Sequence, residues 1–248
     1  DACGDFFALS LFKKAQIQTR LMRQPQGLDM TMTLSAGLAE LGLALSDAQQ
    51  AQLLSYMALI ERWNKVYNLT ALRQQEAMLT HHLLDCLALL PSLRAHVAQT
   101  GLVPHILDVG SGAGLPGLVI AICQPDWRVD CVDTVAKKAA FMQQTAASLN
   151  LQNVKIHHAR VEELAQKHET RYSLICSRAF SSLADFVQLT QAALRPDGVW
   201  LAMKGKTPES EELAALQQEA KAERVEELQV PGLDAQRCLV WLRPSSAG

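Results

Sequence analysis

The sequence has no large excess of charge of one sign and no closely spaced pair of cysteines. With 23 basic and 25 acidic residues its formal charge is -2, so no overall basic field attracts nucleic acid and any such contact must use a local patch. The cysteines are scattered along the chain, without a Cys-x-x-Cys pair: Cys3, Cys86, Cys123, Cys131, Cys176 and Cys238. This spacing is typical of buried, reduced thiols in a cytoplasmic protein, not of a disulfide framework or a zinc site.

The sequence also lacks long apolar runs, internal repeats and low-complexity tracts. No run approaches the roughly 18 to 20 residues of a membrane span, so we expect no membrane partner. Its 248 residues, 49% of them hydrophobic, suit one large domain, alone or with an extension. Residues 1–32 contain no clear pattern or signal peptide, and we expect a poorly ordered extension before a natural start at Met30 or Met32.

A glycine-rich turn separates two apolar segments in the middle of the chain. His105–Val109 predicts a buried strand and Leu118–Cys123 predicts a helix. Glycines allow a positive φ and the close approach of a ligand, and the N–H groups at a helix start face polar groups. The turn contains Gly112-x-Gly114-x-x-Gly117, the dinucleotide fingerprint. That pattern alone is weak evidence, because tight packing could also require these glycines.

Helices are predicted before this turn. Ser46-Asp47-Ala48-Gln49 resembles a capping box, and the apolar residues after it recur at helical spacing as far as Tyr67, before Asn68-Leu69-Thr70 ends the helix. A second helix is predicted from Gln75 to Leu90, stopping at Pro91. Together they predict an N-terminal helical subdomain over residues 33–100.

Strands and helices alternate after the turn, over residues 101–244. This alternation predicts a mostly parallel sheet with helices on both faces. The predicted strands are Arg128–Asp133, Val154–His158, Tyr172–Ser177, Val199–Lys204, Val225–Val230 and Arg237–Leu242, and the predicted helices are Val135–Leu149, Glu162–Lys167, Ser182–Leu194 and Pro208–Ala222. The link 231–235 is too short for a crossover, so the last two strands should be antiparallel. The arrangement resembles an α/β, Rossmann-like class I S-adenosylmethionine-dependent methyltransferase fold, with seven strands, an antiparallel last strand and an N-terminal helical extension.

Polar residues follow several of these strands, at the sheet edge where α/β proteins bind ligands. Asp133, about twenty residues after the glycines, is suited to ribose hydroxyls, although it could instead cap the following helix. Arg160-Val161-Glu162 stands where an adenine ring would dock, or is an exposed helix start. Arg178 follows the fourth strand, where substrate chemistry is expected, or it forms an ion pair with an acidic neighbour.

Several long motifs now indicate a family. They are Asp-Val-Gly-Ser-Gly-Ala-Gly-Leu-Pro-Gly (108–117), Asp133 with Lys137-Lys138-x-x-Phe141, Arg160-Val161-Glu162-Glu163, Ser177-Arg178-Ala179, Lys204-Gly205, Trp63-Asn64-Lys65-Val66-Tyr67-Asn68-Leu69-Thr70 and His82-Leu83-Leu84-Asp85. The chain resembles the bacterial small-subunit (16S) ribosomal RNA (guanine-N(7)) methyltransferases, also called glucose-inhibited division protein B. The resemblance covers roughly residues 35 to 242, and Cys86 replaces the family's usual serine.

The resemblance implies S-adenosylmethionine as cofactor and small-subunit ribosomal RNA, or the small ribosomal subunit, as partner of a monomeric cytoplasmic enzyme. The expected cofactor-binding residues come from the glycine turn and from the ends of the following strands. They are Gly110, Ser111, Gly112, Gly114, Leu115, Asp133, Val161, Glu162 and Arg178. Arg178 is also the expected positioning residue of catalysis. The expected RNA-binding patch is Lys137, Lys138, Arg160, Lys204 and Lys206.

Other methyl acceptors and a metal fit the sequence less well. An Asn/Asp-Pro-Pro-aromatic motif, usual for exocyclic amines, is replaced by Ser-Arg-Ala-Phe after the fourth strand. Cys176 lies inside an apolar strand and is interpreted as core rather than as a nucleophile. Guanine nitrogen 7 carries a lone pair and no proton, so no general base is required. His81, His82 and Asp85 lack further metal ligands, so a His82–Asp85 hydrogen bond is expected there and no metal.

Two other functions stay open at this stage. A nicotinamide-dependent oxidoreductase would use the same turn and Asp133, but it needs a hydride-transfer acid or base, and no histidine stands at a later strand end. A non-catalytic ribosome-binding module could have retained the fold without the activity, although the complete glycine and acidic positions disfavour it.

Overall fold

The structure is a computed structural model that describes residues 26–72, 74–101, 103–167, 171–178, 180, 182–216 and 219–245. Most of the predicted extension, residues 1–25, therefore lies outside the described residues, as does Ala179. A helix spans Gln26–Glu40, across the predicted boundary between residues 32 and 33.

In the part of the chain that the structure describes, the α-helices before the first strand are α1 (Gln26–Glu40), α2 (Asp47–Tyr67), α3 (Gln75–Met78), α4 (Asp85–Leu87) and α5 (Leu90–Thr100). The predicted capping box is confirmed, because the Ser46 hydroxyl accepts a hydrogen bond from Gln49 N at 3.2 Å and the Gln49 side chain accepts one from Ser46 N at 3.0 Å. Helix α2 ends at Asn68, whose φ of 49° is left-handed.

The second predicted helix, Gln75–Leu90, is not continuous in the structure. A π-helical turn, Leu79–Leu84, joins α3 to α4, and a new helix, α5, begins at Leu90 with Pro91 in its first turn. A proline near a helix start loses no hydrogen bond, since the first N–H groups have no partner within the helix, and its fixed φ suits that position. Pro91 therefore belongs to the beginning of α5, which the sequence analysis did not predict.

The elements after residue 104 are β1 (His105–Val109), α6 (Gly117–Cys123), β2 (Arg128–Asp133), α7 (Ala136–Ser148), β3 (Val154–His158), α8 (Val161–Lys167), β4 (Tyr172–Ser177), α9 (Leu183–Thr190), β5 (Leu194–Lys204), α10 (Ser210–Ala214), β6 (Ala220–Glu227) and β7 (Cys238–Pro244). The strand order is β3-β2-β1-β4-β5-β7-β6. Strands β1 to β5 are parallel, and β7 is antiparallel to β5 and to β6. The predicted mostly parallel, seven-stranded sheet with an antiparallel last strand is confirmed.

Several predicted boundaries near the end of the chain are wrong. The strand predicted over Val225–Val230 spans Ala220–Glu227, and the last strand, predicted over Arg237–Leu242, spans Cys238–Pro244. Strand β5 begins at Leu194 and not at Val199 as predicted, and residues 195–198, which include Pro196-Asp197-Gly198, interrupt its pairing with β4 as an irregularity within the strand. The predicted helix Pro208–Ala222 is reduced to α10, because Ala220 already pairs with Pro244 of β7. Pairing across the sheet outweighs the local helical pattern there.

Successive side chains along the strands belong in turn to two hydrophobic clusters, one on each face of the sheet. Ile106 and Trp241 belong to the cluster that also contains α1, α2, α5 and α6, and Leu107 and Val240 belong to the cluster under α8 and α9. The N-terminal helices thus share a core with the sheet. The cysteines among the described residues are buried and unpaired, as predicted. Within the described ranges, no helix combines the length and apolarity needed to cross a membrane.

Candidate active site at the carboxyl edge of the sheet

The glycine turn lies where the strand order reverses, between β1 and its neighbour β4, which is the usual ligand position in such sheets. Its glycines at 110, 112 and 114 have φ of 68°, 61° and 87°. A Cβ on Gly112 would have only Gly110 O near it, at 3.9 Å, whereas one on Gly114 would lie 2.5 Å from Leu118 Cδ1 and one on Gly117 2.5 Å from Cys131 Sγ. Packing therefore explains the glycines at 114 and 117. At Gly112, by contrast, the space that a Cβ would occupy is open.

Asp133, at the end of β2, is buried and bonded to the glycine turn. Its Oδ2 accepts a hydrogen bond from Gly112 N at 2.9 Å, and its Oδ1 accepts one from Val135 N at 2.8 Å. Val135 is the cap residue of α7, and no side chain caps that helix. Asp133 thus connects the ends of β1 and β2 and does not act as the N-cap that was the alternative role.

A cavity of about 380 Å³ opens beside Asp133, at the ends of β1, β2 and β3. It brings together many of the predicted residues, namely Gly110, Asp133, Lys138, Arg160, Val161 and Glu162. Most of its other lining side chains are apolar: Val109, Val132, Val135, Ala159, Phe180 and Leu189. A pocket with apolar walls and a few polar groups at one side suits a nucleoside, whose base is flat and whose ribose carries hydroxyls. We call this cavity the β1–β3 cleft.

Other predicted residues do not line this cleft. Ser111 is buried and its hydroxyl donates to Asp108 O at 2.8 Å, within the loop. The Leu115 side chain is packed in the core. Lys204 forms an ion pair with Glu212 Oε1 at 2.5 Å, whereas Lys137 and Lys206 are exposed.

Arg178, directly after β4, also lies outside the lining of the β1–β3 cleft. Its Nη1 donates to Asp85 Oδ2 and to His81 O, both at 3.1 Å. The ion pair considered as an alternative is therefore present, and its acidic partner comes from α4. The contact joins the end of β4 to the π-helical turn.

The predicted hydrogen bond between His82 and Asp85 is wrong. His82 Nε2 contacts Thr70 Oγ1 at 2.7 Å, and Nδ1 contacts His81 O at 3.2 Å. A π-helical turn holds more residues than an α-helical one, so side chains three residues apart no longer share a face. Burial, with the positive charge of Arg178, lowers the pKa of His82 to about 4. Among the described residues, no group of three or more His, Cys, Asp or Glu side chains could hold a metal.

Two residues that shape the turn were not predicted as site residues from the sequence. Asp108 is fully buried at the end of β1, and its Oδ2 accepts a hydrogen bond from Gly117 N at 2.9 Å. Burial raises the pKa of Asp108 to about 6, although this hydrogen bond opposes the shift. The Tyr56 hydroxyl, from α2, donates to Ala113 O at 2.5 Å. An acidic residue at the end of the predicted strand, two positions before Gly110, was a usable signal for Asp108, but nothing in the sequence pairs Tyr56 with residue 113.

The comparisons with known proteins agree on one family. Residues 49–240 match the sequence profile described as rRNA small subunit methyltransferase G (GidB). "Ribosomal RNA small subunit methyltransferase G" of Polaromonas sp. strain JS666 is 57% identical over 216 residues, 86% of this chain and 93% of the relative. The protein of the same name from Albidiferax ferrireducens is 55% identical over 227 residues, 88% of this chain and 99% of the relative.

Solved structures that resemble the chain are more distant. TrmN from Thermus thermophilus has a TM-score of 0.47 and 15% sequence identity, covering 61% of this chain and 48% of that one. A ribosomal protein L11 methylase from Lactobacillus delbrueckii subsp. bulgaricus has a TM-score of 0.46 and 15% identity, covering 64% and 77%.

Proposed function

The chain belongs to the family rRNA small subunit methyltransferase G, and from this premise we propose that it transfers a methyl group from S-adenosylmethionine to ring nitrogen 7 of a guanosine in small-subunit ribosomal RNA. The family that the sequence motifs indicated is thereby confirmed. The observation that carries the proposal is the β1–β3 cleft beside a glycine turn, with one buried carboxylate at its polar side.

The residues of the cleft fit this cofactor. A carboxylate offers about four lone-pair positions; the N–H groups of Gly112 and Val135 use two of those on Asp133, which leaves acceptors for ribose hydroxyls. Apolar side chains with Val161 and Glu162 would hold the adenine ring, and the loop would contribute through the backbone of Gly110, Ser111, Gly112, Gly114 and Leu115. The open space at Gly112 is where a side chain would exclude the ligand.

Outside the β1–β3 cleft, Arg178 and its partner Asp85 position the reactants. S-adenosylmethionine supplies an electrophilic methyl group when bound. Because nitrogen 7 of guanine has a lone pair and no proton, the chain needs no general base and acts by orienting the base and accommodating the positive charge formed. Arg178, fixed by Asp85, is the positioning residue at the end of β4, and as a guanidinium it could not serve as a base.

A cysteine-dependent methylation of a pyrimidine fits this chain poorly. Cys176 is fully buried in β4, as predicted, and burial raises the pKa of its thiol well above the usual value. A thiol held in its neutral form is a poor nucleophile. This supports a lone-pair acceptor such as nitrogen 7 rather than a reaction through a covalent cysteine adduct.

The RNA would approach the same edge of the sheet. Lys137 and Lys138 lie in the first turn of α7 after β2, Arg160 follows β3, and Lys206 follows β5. These side chains supply the local positive charge that the whole chain lacks. Lys204 and Lys138 contribute less, since Glu212 pairs with Lys204 and the Asp133 Oδ2 lies 3.8 Å from Lys138 Nζ. We propose that the protein acts on ribosomal RNA in the cytoplasm as a monomer, as the family resemblance implies.

Two measurements separate this proposal from its rivals. Calorimetry with S-adenosylmethionine and with NADH distinguishes the methyltransferase from an oxidoreductase, and we expect binding of the first alone. Labelled S-adenosylmethionine and undermodified small-subunit RNA then distinguish an enzyme from a non-catalytic module. Cofactor binding without any incorporation of label into the RNA would contradict the proposed activity.

A further inference from the structure

Asp85 holds two arginines that come from distant parts of the chain. Its Oδ2 accepts a hydrogen bond from Arg178 Nη1 at 3.1 Å, and its Oδ1 accepts one from Arg237 Nε at 2.9 Å. The Asp85 side chain is only 4% exposed, whereas 26% of Arg178 and 23% of Arg237 is exposed. One buried carboxylate therefore fixes two guanidinium groups that each reach the surface.

Arg237 lies at the same edge of the sheet as Arg178. It directly precedes β7, and because β7 is antiparallel its first residue, Cys238, pairs with Lys204 at the carboxyl end of β5. A Cβ on Gly205 would lie 3.9 Å from Arg237 Nη1, so the guanidinium stands beside the loop that follows β5. The ends of β4 and β5 are thus flanked by two arginines.

The charges of this group favour an anion. Two guanidinium groups share one carboxylate, so these three side chains together carry one unit of positive charge in a partly buried position, where electrostatic interactions are stronger than in bulk water. The acidic residues Glu227 and Asp234 line the same cavity as Arg237, so an anion would be held by the fixed guanidinium donors rather than by the net charge of the surface. The planar fork of arginine presents several donors to phosphate oxygens at once. Arg237 Nη1 also donates to Gln236 O at 2.8 Å, which further fixes its orientation.

We propose that Arg237 binds a backbone phosphate of the RNA substrate at this edge, and that Asp85 is the positioning residue that holds Arg237 and Arg178 in place for it. The inference rests on the proposed function, because it takes RNA as the substrate. It adds a contact on the β5 side of the edge, opposite the β1–β3 cleft, so that the RNA spans the ends of the sheet on both sides of the reacting base.

The test measures how the affinity for in vitro transcribed small-subunit ribosomal RNA depends on salt. Each phosphate neutralised adds about 0.7 to 0.9 to the slope of log affinity against log salt. Arg237→Gln should lower the slope by about that amount, while Arg237→Lys should keep the slope and lose affinity because the fork is gone. Arg243→Gln is the matched control: Arg243 lies at the other end of β7, with its Nε 2.5 Å from Glu223 Oε2, and should change neither value.

The role of Asp85 is tested by whether its substitution strengthens or weakens RNA binding. Removing an acidic group from an RNA-binding edge strengthens RNA binding if charge alone matters, whereas loss of a positioning residue weakens it. If Asp85 is a positioning residue, Asp85→Asn should therefore weaken RNA binding although it removes a negative charge. Asp85→Glu, which keeps the charge and moves it, should weaken binding as well, and it serves if the asparagine variant does not fold.

The outcomes separate this inference from the proposed function. An unchanged salt slope and affinity in Arg237→Gln, with normal methyl transfer, would overturn the phosphate contact and leave the proposed function standing. Tighter RNA binding by Asp85→Asn would overturn the positioning role. A wild-type protein that binds S-adenosylmethionine but neither binds nor methylates the RNA would overturn the proposed function and this site with it.

Discussion

At the scale of single residues, the glycine turn combines two different requirements. Gly114 and Gly117 leave no room for a Cβ next to Leu118 and Cys131, so their absence of a side chain serves packing. Gly112 faces open space and needs glycine for its φ of 61°. A methyl group at Gly112 would therefore clash with no neighbouring atom, although it would strain the backbone, and under the proposed function it would stand where the cofactor approaches.

We predict that Gly112→Ala abolishes most S-adenosylmethionine binding in a protein that stays folded. Its matched control is Gly42→Ala, because Gly42 has a similar φ of 65°, no atom within 4 Å of its Cβ position and an exposed place between α1 and α2. Both variants carry the same backbone strain of about 1 kcal/mol. Calorimetry should show that only the Gly112→Ala variant loses affinity for S-adenosylmethionine. Equal affinities of the two variants would contradict the open space at Gly112 as a ligand position.

Asp133→Ala should weaken cofactor binding by about 1 to 3 kcal/mol, the scale of a lost charge-assisted hydrogen bond. The carboxylate also holds Gly112 N and Val135 N, so thermal stability should fall as well. Titration calorimetry measures the first effect and scanning calorimetry the second. The exposed Asp197→Ala is the control. A loss of stability with unchanged affinity would assign Asp133 a structural role alone.

At the scale of elements, helix α2 supports the turn from outside the sheet. The Tyr56 hydroxyl donates to Ala113 O, and both residues are buried. Tyr56→Phe should lower the free energy of unfolding by about 1 kcal/mol, because a buried carbonyl loses its partner, and should weaken cofactor binding by loosening the turn. Denaturant titration measures the stability. Tyr67→Phe, on the same helix but exposed, should change neither property, and an equal effect of both variants would contradict the contact.

Elements that depend on neighbouring residues were predictable from the sequence. The capping box of α2 and the bounds of β2, β3 and β4 follow from local patterns, and the structure has them as predicted. The π-helical turn, the start of α5 at Leu90 and the early start of β6 depend on packing and strand pairing, and the periodicity of the sequence does not contain this information.

The candidate site divides in the same way. Asp133 and the glycine turn lie together, as their positions after strands predicted. The acidic partner of Arg178 could not be found from the sequence, since Asp85 lies 93 residues from Arg178 and 152 residues from Arg237. A carboxylate shared by two arginines is a property of the folded chain, and neither the spacing nor the composition indicates it.

At the scale of the whole molecule, the two ends of the sheet differ in their polar groups. Near the amino ends of β1, β2 and β4, the Asp130 carboxylate receives hydrogen bonds from His105 at 3.1 Å, His157 at 2.7 Å and the Tyr172 hydroxyl at 2.9 Å. This network ties together strands β1 to β4 on the side away from the glycine turn. Its expected role is therefore stability rather than catalysis.

Asp130→Asn should lower the free energy of unfolding at pH 7 by about 1 to 3 kcal/mol, as a buried network loses an acceptor, with unchanged S-adenosylmethionine affinity. Burial raises the pKa of Asp130, but the hydrogen bonds from His105, His157 and Tyr172 outweigh it and bring the pKa well below its usual range. The folded state thus favours the carboxylate. Its contribution is complete above the unfolded pKa of about 4 and is lost as the pH falls further.

Denaturant titrations across pH check this prediction. The difference in stability between wild type and Asp130→Asn should be largest near neutral pH and should shrink below about pH 4. A difference that stays constant as the pH falls would mean that the ionised form of Asp130 does not matter. A loss of cofactor affinity in this variant would contradict the separation of the two ends of the sheet.

The position of the transferred methyl group tests the central claim most directly. Small-subunit ribosomal RNA from cells that lack the gene is incubated with the protein and labelled S-adenosylmethionine, and the labelled nucleotide is then mapped. The account predicts label on ring nitrogen 7 of a guanosine with the wild-type protein and almost none with Gly112→Ala. Label on an exocyclic amine, on another base or on large-subunit RNA alone would contradict it.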